Sequence, residues 1–218
     1  MSQLNVDTIE ARTNNSITLG GTSDTITIPA GATITNSGTA NGFGGGAWTL
    51  IGTQVASSSA SLTQTGLDST YDCYVVVISD ILPENDAVNP RLRFGNSGGI
   101  ISTANTYSYH LGRQWDNSGS PYQGVHSRDT QNMILIGHNI GNASGEGFHA
   151  VLYIYGNQGG TTKPMVMINS MQLDDHGHMG FNSGAGNHDN AITLDRFQFY
   201  LSSGNITSGK MRTYGIQH

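Results

Sequence analysis

The residues of this sequence with the most chemistry to offer are a pair of histidines. The stretch "DDHGHMGF" sets His176 and His178 two positions apart, directly after Asp174 and Asp175. In an extended strand, side chains two apart project to the same side, so both imidazoles would share one face. Imidazole nitrogens ligate Zn, Fe, Ni or Cu, and neighbouring carboxylates orient such rings by accepting from the other ring nitrogen. Two ligands from one chain leave a site incomplete. In a homotrimer whose three-fold axis runs past this strand, the pairs from all copies would converge on a transition metal. The same residues also read as an ordinary Gly- and Asp-rich turn. The other histidines, His110, His126, His138, His149, His188 and His218, are dispersed and read as surface or core residues.

Carboxylates gather once more, in "LPENDAVN", where Glu84, Asp86 and Asn89 fall in one expected loop. Paired carboxylates serve as acid and base in glycoside cleavage, and with amide oxygens they hold Ca²⁺. A solvated acidic loop joining two strands is the favoured reading. Serine is abundant, but no G-x-S-x-G elbow occurs. The single cysteine, Cys73, sits inside "YDCYVVVI" and reads as a small buried hydrophobe. No catalytic residue is assigned, and the expectation is a protein that is not an enzyme and carries no resident cofactor.

Binding is better represented. "TYSYHLGRQWDNSGSPYQGVHSRD" mixes Tyr107, Tyr109, Trp115 and Tyr122 with Arg113, Asp116, Asn117 and Arg128. Aromatic faces among planar polar groups suit a sugar or a protein surface, because rings cover apolar faces while amides and charges take hydroxyls. Tyr107, Tyr109, Arg113, Trp115, Asp116, Asn117 and Tyr122 are therefore the expected ligand-binding set. The alternative is that these rings fill a contact between subunits.

The elements that must position these groups are strands. From Trp48 onward, "WTLIGTQV", "YDCYVVVI", "RLRF", "TYSYHLG", "QNMILIG", "FHAVLYIYG", "PMVMINSM", "ITLDRFQFYL" and "KMRTYGI" give about nine strand-like runs between Gly, Asn, Ser and Asp turns. Helical spacing is absent. Regular short strands of this kind predict an all-β, antiparallel, jelly-roll-like sandwich over 48–218. In "FHAVLYIYG", Phe148, Ala150, Leu152 and Ile154 fall on one face, expected to be core. His149, Val151, Tyr153 and Tyr155 fall on the other, expected to be half-exposed or an interface. Val75 to Ile78 are apolar on both faces, as in a central strand covered on each side.

Residues 1–47 differ. In "SITLGGTSDTITIPAGATIT" the apolar pairs Ile17 and Leu19, Ile26 and Ile28, and Ala32 and Ile34 recur between Gly-Gly and Pro-Ala-Gly turns. Units this small cannot offset the entropy of ordering about eight residues, at about 1–2 kcal/mol each, unless they stack on copies of themselves. The expectation is an intertwined β-repeat stalk or anchor, joined through the Gly-rich "NSGTANGFGGGAW" to the sandwich. A disordered linker is the other reading.

Composition narrows the function classes. Among 218 residues only 11% are charged, against about 25% in ordinary soluble domains. Nine basic and fifteen acidic residues give a net charge of −6 with no basic cluster, which argues against nucleic acid. No apolar run is long enough to span a membrane, and "MSQLNVDTIEARTNN" holds no signal-peptide core. The sequons at Asn14, Asn142 and Asn205 then read as chance products of an Asn- and Ser-rich chain.

The layout of "MSQLNVDTIEARTNNSITLGG", a short β-repeat, a Gly-rich joint and a sandwich opening "WTLIGTQVASSSASLTQTGLDSTYDCYVVV" resembles virion structural proteins of tailed bacteriophages. It is most similar to the small tail-fibre-like proteins of phages of marine bacteria such as cyanobacteria. The resemblance implies a homotrimer assembled in the host cytoplasm, with the N-terminal part bound to other virion proteins of the tail or capsid. The sandwich would then be an outer knob that attaches to a host surface glycan or protein. A head fibre or capsid-decorating protein and a glycan-cleaving tail enzyme are the other expectations. Some fibre tips of this kind bind metal through His-x-His pairs on the three-fold axis, and "HGH" at 176–178 matches that pattern.

Overall fold

A computed structural model describes residues 21–25, 27, 29, 31, 48–116, 122–156 and 159–216. The chain divides into two units, Met1–Phe43 and Gly44–His218. In the first, a turn is described in which the Asp24 N–H donates to the Gly21 carbonyl at 3.1 Å and Asp24 Oδ2 accepts from the Gly21 N–H at 2.7 Å. The repeat positions Ile17, Leu19, Ile26, Ile28, Ala32 and Ile34, and the joint at 36–47, lie outside the described residues.

The second unit is all β among the described residues. Its strands are β1 (Trp48–Ser59), β2 (Ser61–Thr65), β3 (Cys73–Pro83), β4 (Pro90–Asn96), β5 (Gly99–Ile100), β6 (Tyr107–Trp115) and β7 (Gln123–Gln131). They continue with β8 (Ile134–Leu135), β9 (Gly147–Tyr155), β10 (Met165–Leu173), β11 (Met179–His188), β12 (Arg196–Leu201) and β13 (Ile206–Ile216). Every pairing between these strands is antiparallel.

An eight-stranded sheet runs β1-β13-β3-β9-β10-β11-β6-β7, and a second sheet runs β2-β12-β4-β5 with β8 also pairing β4. Without β5 to β7 and β10 to β11, the two sheets read β1-β13-β3-β9 and β2-β12-β4-β8, the order of an eight-stranded jelly roll. The two insertions extend the first sheet sideways into a wing of four strands, β10, β11, β6 and β7.

Between the sheets, Tyr74, Val76 and Leu152 of one pack against Leu92, Phe94, Phe197 and Phe199 of the other, all without solvent exposure. Phe148 and Phe199 stack across the gap, with ring centroids 6.1 Å apart and planes 7° apart. The expected alternation of β9 holds: Phe148, Ala150, Leu152 and Ile154 are core, His149, Val151 and Tyr153 are half-buried, and Tyr155 is exposed. β3 is central, and Tyr74, Val75, Val76 and Ile78 are buried on its two faces. Val75 lies on the face away from the core, in register with Tyr153 and Tyr214.

The inner face of the wing is covered by the segment from Met133 to Ile140, which includes β8 of the second sheet. Ile134 fills the space above Gly186, where an added Cβ would sit 2.5 Å from Ile134 Cγ2. Polar clasps hold the same segment, because Ser170 Oγ donates to the Ile136 carbonyl at 2.6 Å and Gln172 Nε2 to the His138 carbonyl at 3.0 Å.

Candidate functional site

His176 and His178 do not lie in a strand. They sit in the turn between β10 and β11, as the reading of a Gly- and Asp-rich turn has it, and not in an extended strand. The turn exists because Asp174 Oδ1 accepts the backbone N–H groups of both His176 (2.9 Å) and His178 (2.8 Å), while the Gly177 N–H donates to the Asp174 carbonyl at 2.9 Å. The imidazoles still share a side and stack, with centroids 6.0 Å apart. His176 Nδ1 lies 3.1 Å from Asp175 Oδ1, and this hydrogen bond, followed by the charge of Asp175, raises the His176 pKa. Donor atoms of Asp174, Asp175 and His176 all lie within 4.8 Å of one another, so they could hold a cation within one chain. Asp175 Oδ1 also accepts from Asn139 Nδ2, and one oxygen of Asp174 is committed to the turn. The cluster is thus a fastened turn that presents two histidine rings.

The acidic loop is likewise structural. Glu84 Oε2 accepts from the Asn205 N–H at 2.8 Å, Asp86 Oδ1 from the Asn142 N–H at 3.2 Å, and Asn89 Oδ1 from the Asn139 N–H at 2.8 Å. Each side chain ties one loop to another.

The aromatic set divides. Tyr107 is fully buried, which corrects its placement on a polar surface. Its hydroxyl donates to the Ile101 carbonyl at 2.8 Å and accepts from the Phe94 N–H at 3.0 Å, bridging the two sheets. Burial drives its pKa far up. Arg113 is also buried, facing inward with Asn182 across the β6-β11 pairing and donating to Gln123 Oε1 at 3.3 Å. Tyr109 is half-buried against the core, and burial raises its pKa too.

Trp115, half-buried, meets His138 edge to face at 6.4 Å. Burial first, and then the charge of Arg113, push the His138 pKa down to about 4. Asp116 and Tyr122 are exposed. Asn117 lies outside the described residues. The set is therefore two groups: an internal cluster of Arg113, Trp115 and His138, and surface residues at the tip of β6 and β7.

The largest functional feature is one that the sequence only half announces. Ten large apolar side chains are exposed among the described residues, and all ten lie on the outer face of the eight-stranded sheet. Trp48, Leu50 and Val55 come from β1, Tyr155 from β9, Met165, Met167 and Met171 from β10, Met179 and Phe181 from β11, and Tyr122 precedes β7. Trp48 packs against Tyr214 at 5.6 Å, forming an aromatic margin. Across β3, β9, β10 and β11 the outward positions carry no Glu, Lys or Arg, and Asp80, exposed at the bulge of β3, is the one acidic residue. A hollow of about 330 Å³ opens on this face, lined by Val77, His149, Val151, Met171 and Phe181 among others.

Beside the apolar field, the outer surface of the wing turns polar. His110, His126, Arg128, Lys163, Asn187 and Asp189 line a shallow hollow of about 620 Å³, in which the two imidazoles stack 6.3 Å apart. These residues come from β6, β7, β11 and the loops before β10 and after β11, and no spacing in the sequence groups them. Compared with known proteins, the chain matches no family model, no curated protein and no solved structure.

Proposed function

We propose that this chain is a non-enzymatic structural protein of a virus particle, a trimeric fibre-like protein whose sandwich is the outer knob. Residues 1–47 would join it to the tail or capsid, and the knob would attach to a host surface. One observation carries the reading: ten exposed large apolar residues gathered on one sheet face mark a surface that protein covers. Such a face fits a subunit of an assembly better than a free-standing catalyst or carrier. The jelly-roll order is in keeping, since viral capsid and lectin domains use it, although a fold alone does not fix a function.

The test is to incubate fluorescently labelled full-length protein with marine cyanobacterial cells and, separately, with purified phage capsids. Sedimentation with cells supports the host-attachment knob. Sedimentation with capsids alone would turn the reading into a capsid-decorating protein, and sedimentation with neither would overturn the virion role.

A further inference from the structure

We infer that the partner of the outer sheet face is another copy of this chain, with the aromatic margin of one copy seated in the hollow of the next. The inference rests on the assembly reading above and names the occupant of that face.

Area is the first argument. At about 4.8 Å per strand and about 3.3 Å per residue, the six strands from β1 to β11 present about 980 Å². A stable interface of standard size takes roughly 800 Å² from each partner. One copy therefore offers a full interface without recruiting any other surface.

Complementarity is the second. The face carries both a projection and a recess. Trp48 and Leu50 stand out on β1 at 43% and 55% exposure, at one edge of the sheet. The hollow of about 330 Å³ lies across β3, β9, β10 and β11, with Met171 and Phe181 among its lining residues. A surface holding knob and recess side by side fits a copy of itself. The contact closes on a two-fold, where each copy gives and receives, and equally in a three-fold ring, where each gives to the next. The three-fold ring is the form that a trimeric fibre knob requires.

Chemistry is the third. Apart from Asp80 at the bulge of β3, the outward positions of β3, β9, β10 and β11 are uncharged and rich in methionine and aromatic residues, the composition of an interface core. Charge within the face is confined to Lys210 and Arg212 on β13, between the aromatic margin and the hollow, and to Asp80 at the bulge of β3, with Glu146 beside β9. Unbranched thioether side chains adapt to the shape of an entering ring.

The experiment is the solution mass of the full chain by light scattering after size exclusion, at several concentrations, for wild type and four variants. Wild type should run near three times 23.1 kDa. Leu50→Glu removes the knob, and Phe181→Glu and Met171→Lys spoil the recess; each should drop the mass to that of one chain. Circular dichroism and urea unfolding should stay as in wild type, because all three side chains are solvent-facing in the single chain. Thr65→Glu, an exposed position on the other sheet, should leave the mass unchanged. A monomeric wild type, or an oligomer that survives both knob and recess variants, overturns the inference. Either result leaves the virion role to be judged by the cell and capsid binding, which reads a different contact.

Discussion

Asn182 Nδ2 donates to Gln172 Oε1 at 2.7 Å inside the wing, and the same amide donates to Ser170 Oγ at 3.0 Å. All three side chains are buried, and Ser170 and Gln172 pass the connection to the carbonyls of Ile136 and His138. One amide on β11 thereby locks two residues of β10 to the segment that roofs the wing. Asn182→Ala removes both donors and strands two buried acceptors, each worth about 1–3 kcal/mol. The expected loss is about 2–6 kcal/mol, read as a lower urea midpoint. An unchanged midpoint would mean that the roof holds the wing without the polar clasp.

Acid should loosen the same region through His138. Its pKa falls to about 4 in the folded chain because burial and the nearby Arg113 oppose the charged ring. The unfolded chain keeps a histidine of about 6.5 and binds the proton first, so stability falls as pH drops from about 6.5 towards about 4. His176 runs the other way, its pKa raised by Asp175, but it is solvent-exposed and its effect is screened. Replacing His138 with Gln should flatten the decline of the urea midpoint over that window. A slope as steep as that of wild type would clear His138 of the effect.

Asp174 offers a sharper test of the histidine turn. Its side chain satisfies two backbone donors, and its own N–H donates to the His178 carbonyl at 3.0 Å. Asp174→Ala should cost about 1–2 kcal/mol, the scale of a lost capping side chain. It should also release the stacking of His176 on His178. Ring-proton shifts of the two imidazoles measure that directly, and shifts unmoved by the substitution would show that the turn holds itself.

Much of the sandwich was legible, for identifiable reasons. The nine expected runs fall on β1, β3, β4, β6, β8, β9, β10, β12 and β13, where apolar alternation or a continuous apolar run marks a strand. The strands β2, β5, β7 and β11 were not legible. β11 reads "MGFNSGAGNH", with Gly180, Gly184 and Gly186 at inward positions where neighbours leave no room for a side chain. At Gly180 an added Cβ would lie 2.6 Å from Gln172 Nε2, and at Gly186 it would meet Ile134. Glycine at those points erases the period-two signal while serving the packing. The outer faces of β9 and β3 were visible as a covered or interface surface. Its extension over β10 and β11 was not, because the strand order that joins them is set by long-range pairing. Trp115 and Arg113 stood out as binding residues from their types, yet the pleat turns Arg113 inward and leaves Trp115 half-buried.

Methionine chemistry separates the covered face from the core by a route that needs no substitution. Met165, Met167, Met171 and Met179 are 44% to 56% exposed in the single chain, whereas Met133 and Met211 are buried at 7% and 0%. Dilute peroxide should oxidise the four outer thioethers well before the two inner ones, since reactivity follows access. Peptide mass spectrometry reads the order. In the associated protein Met171, which lines the hollow, should be slowed relative to Met165 near the polar end of the wing. Each sulfoxide places a polar group where an apolar contact is required, so oxidation of Met171 should dissociate the copies, and methionine sulfoxide reductase should restore them. If Met171 reacts as fast as Met165 at concentrations where the copies are associated, the hollow is open, and the contact between copies lies elsewhere.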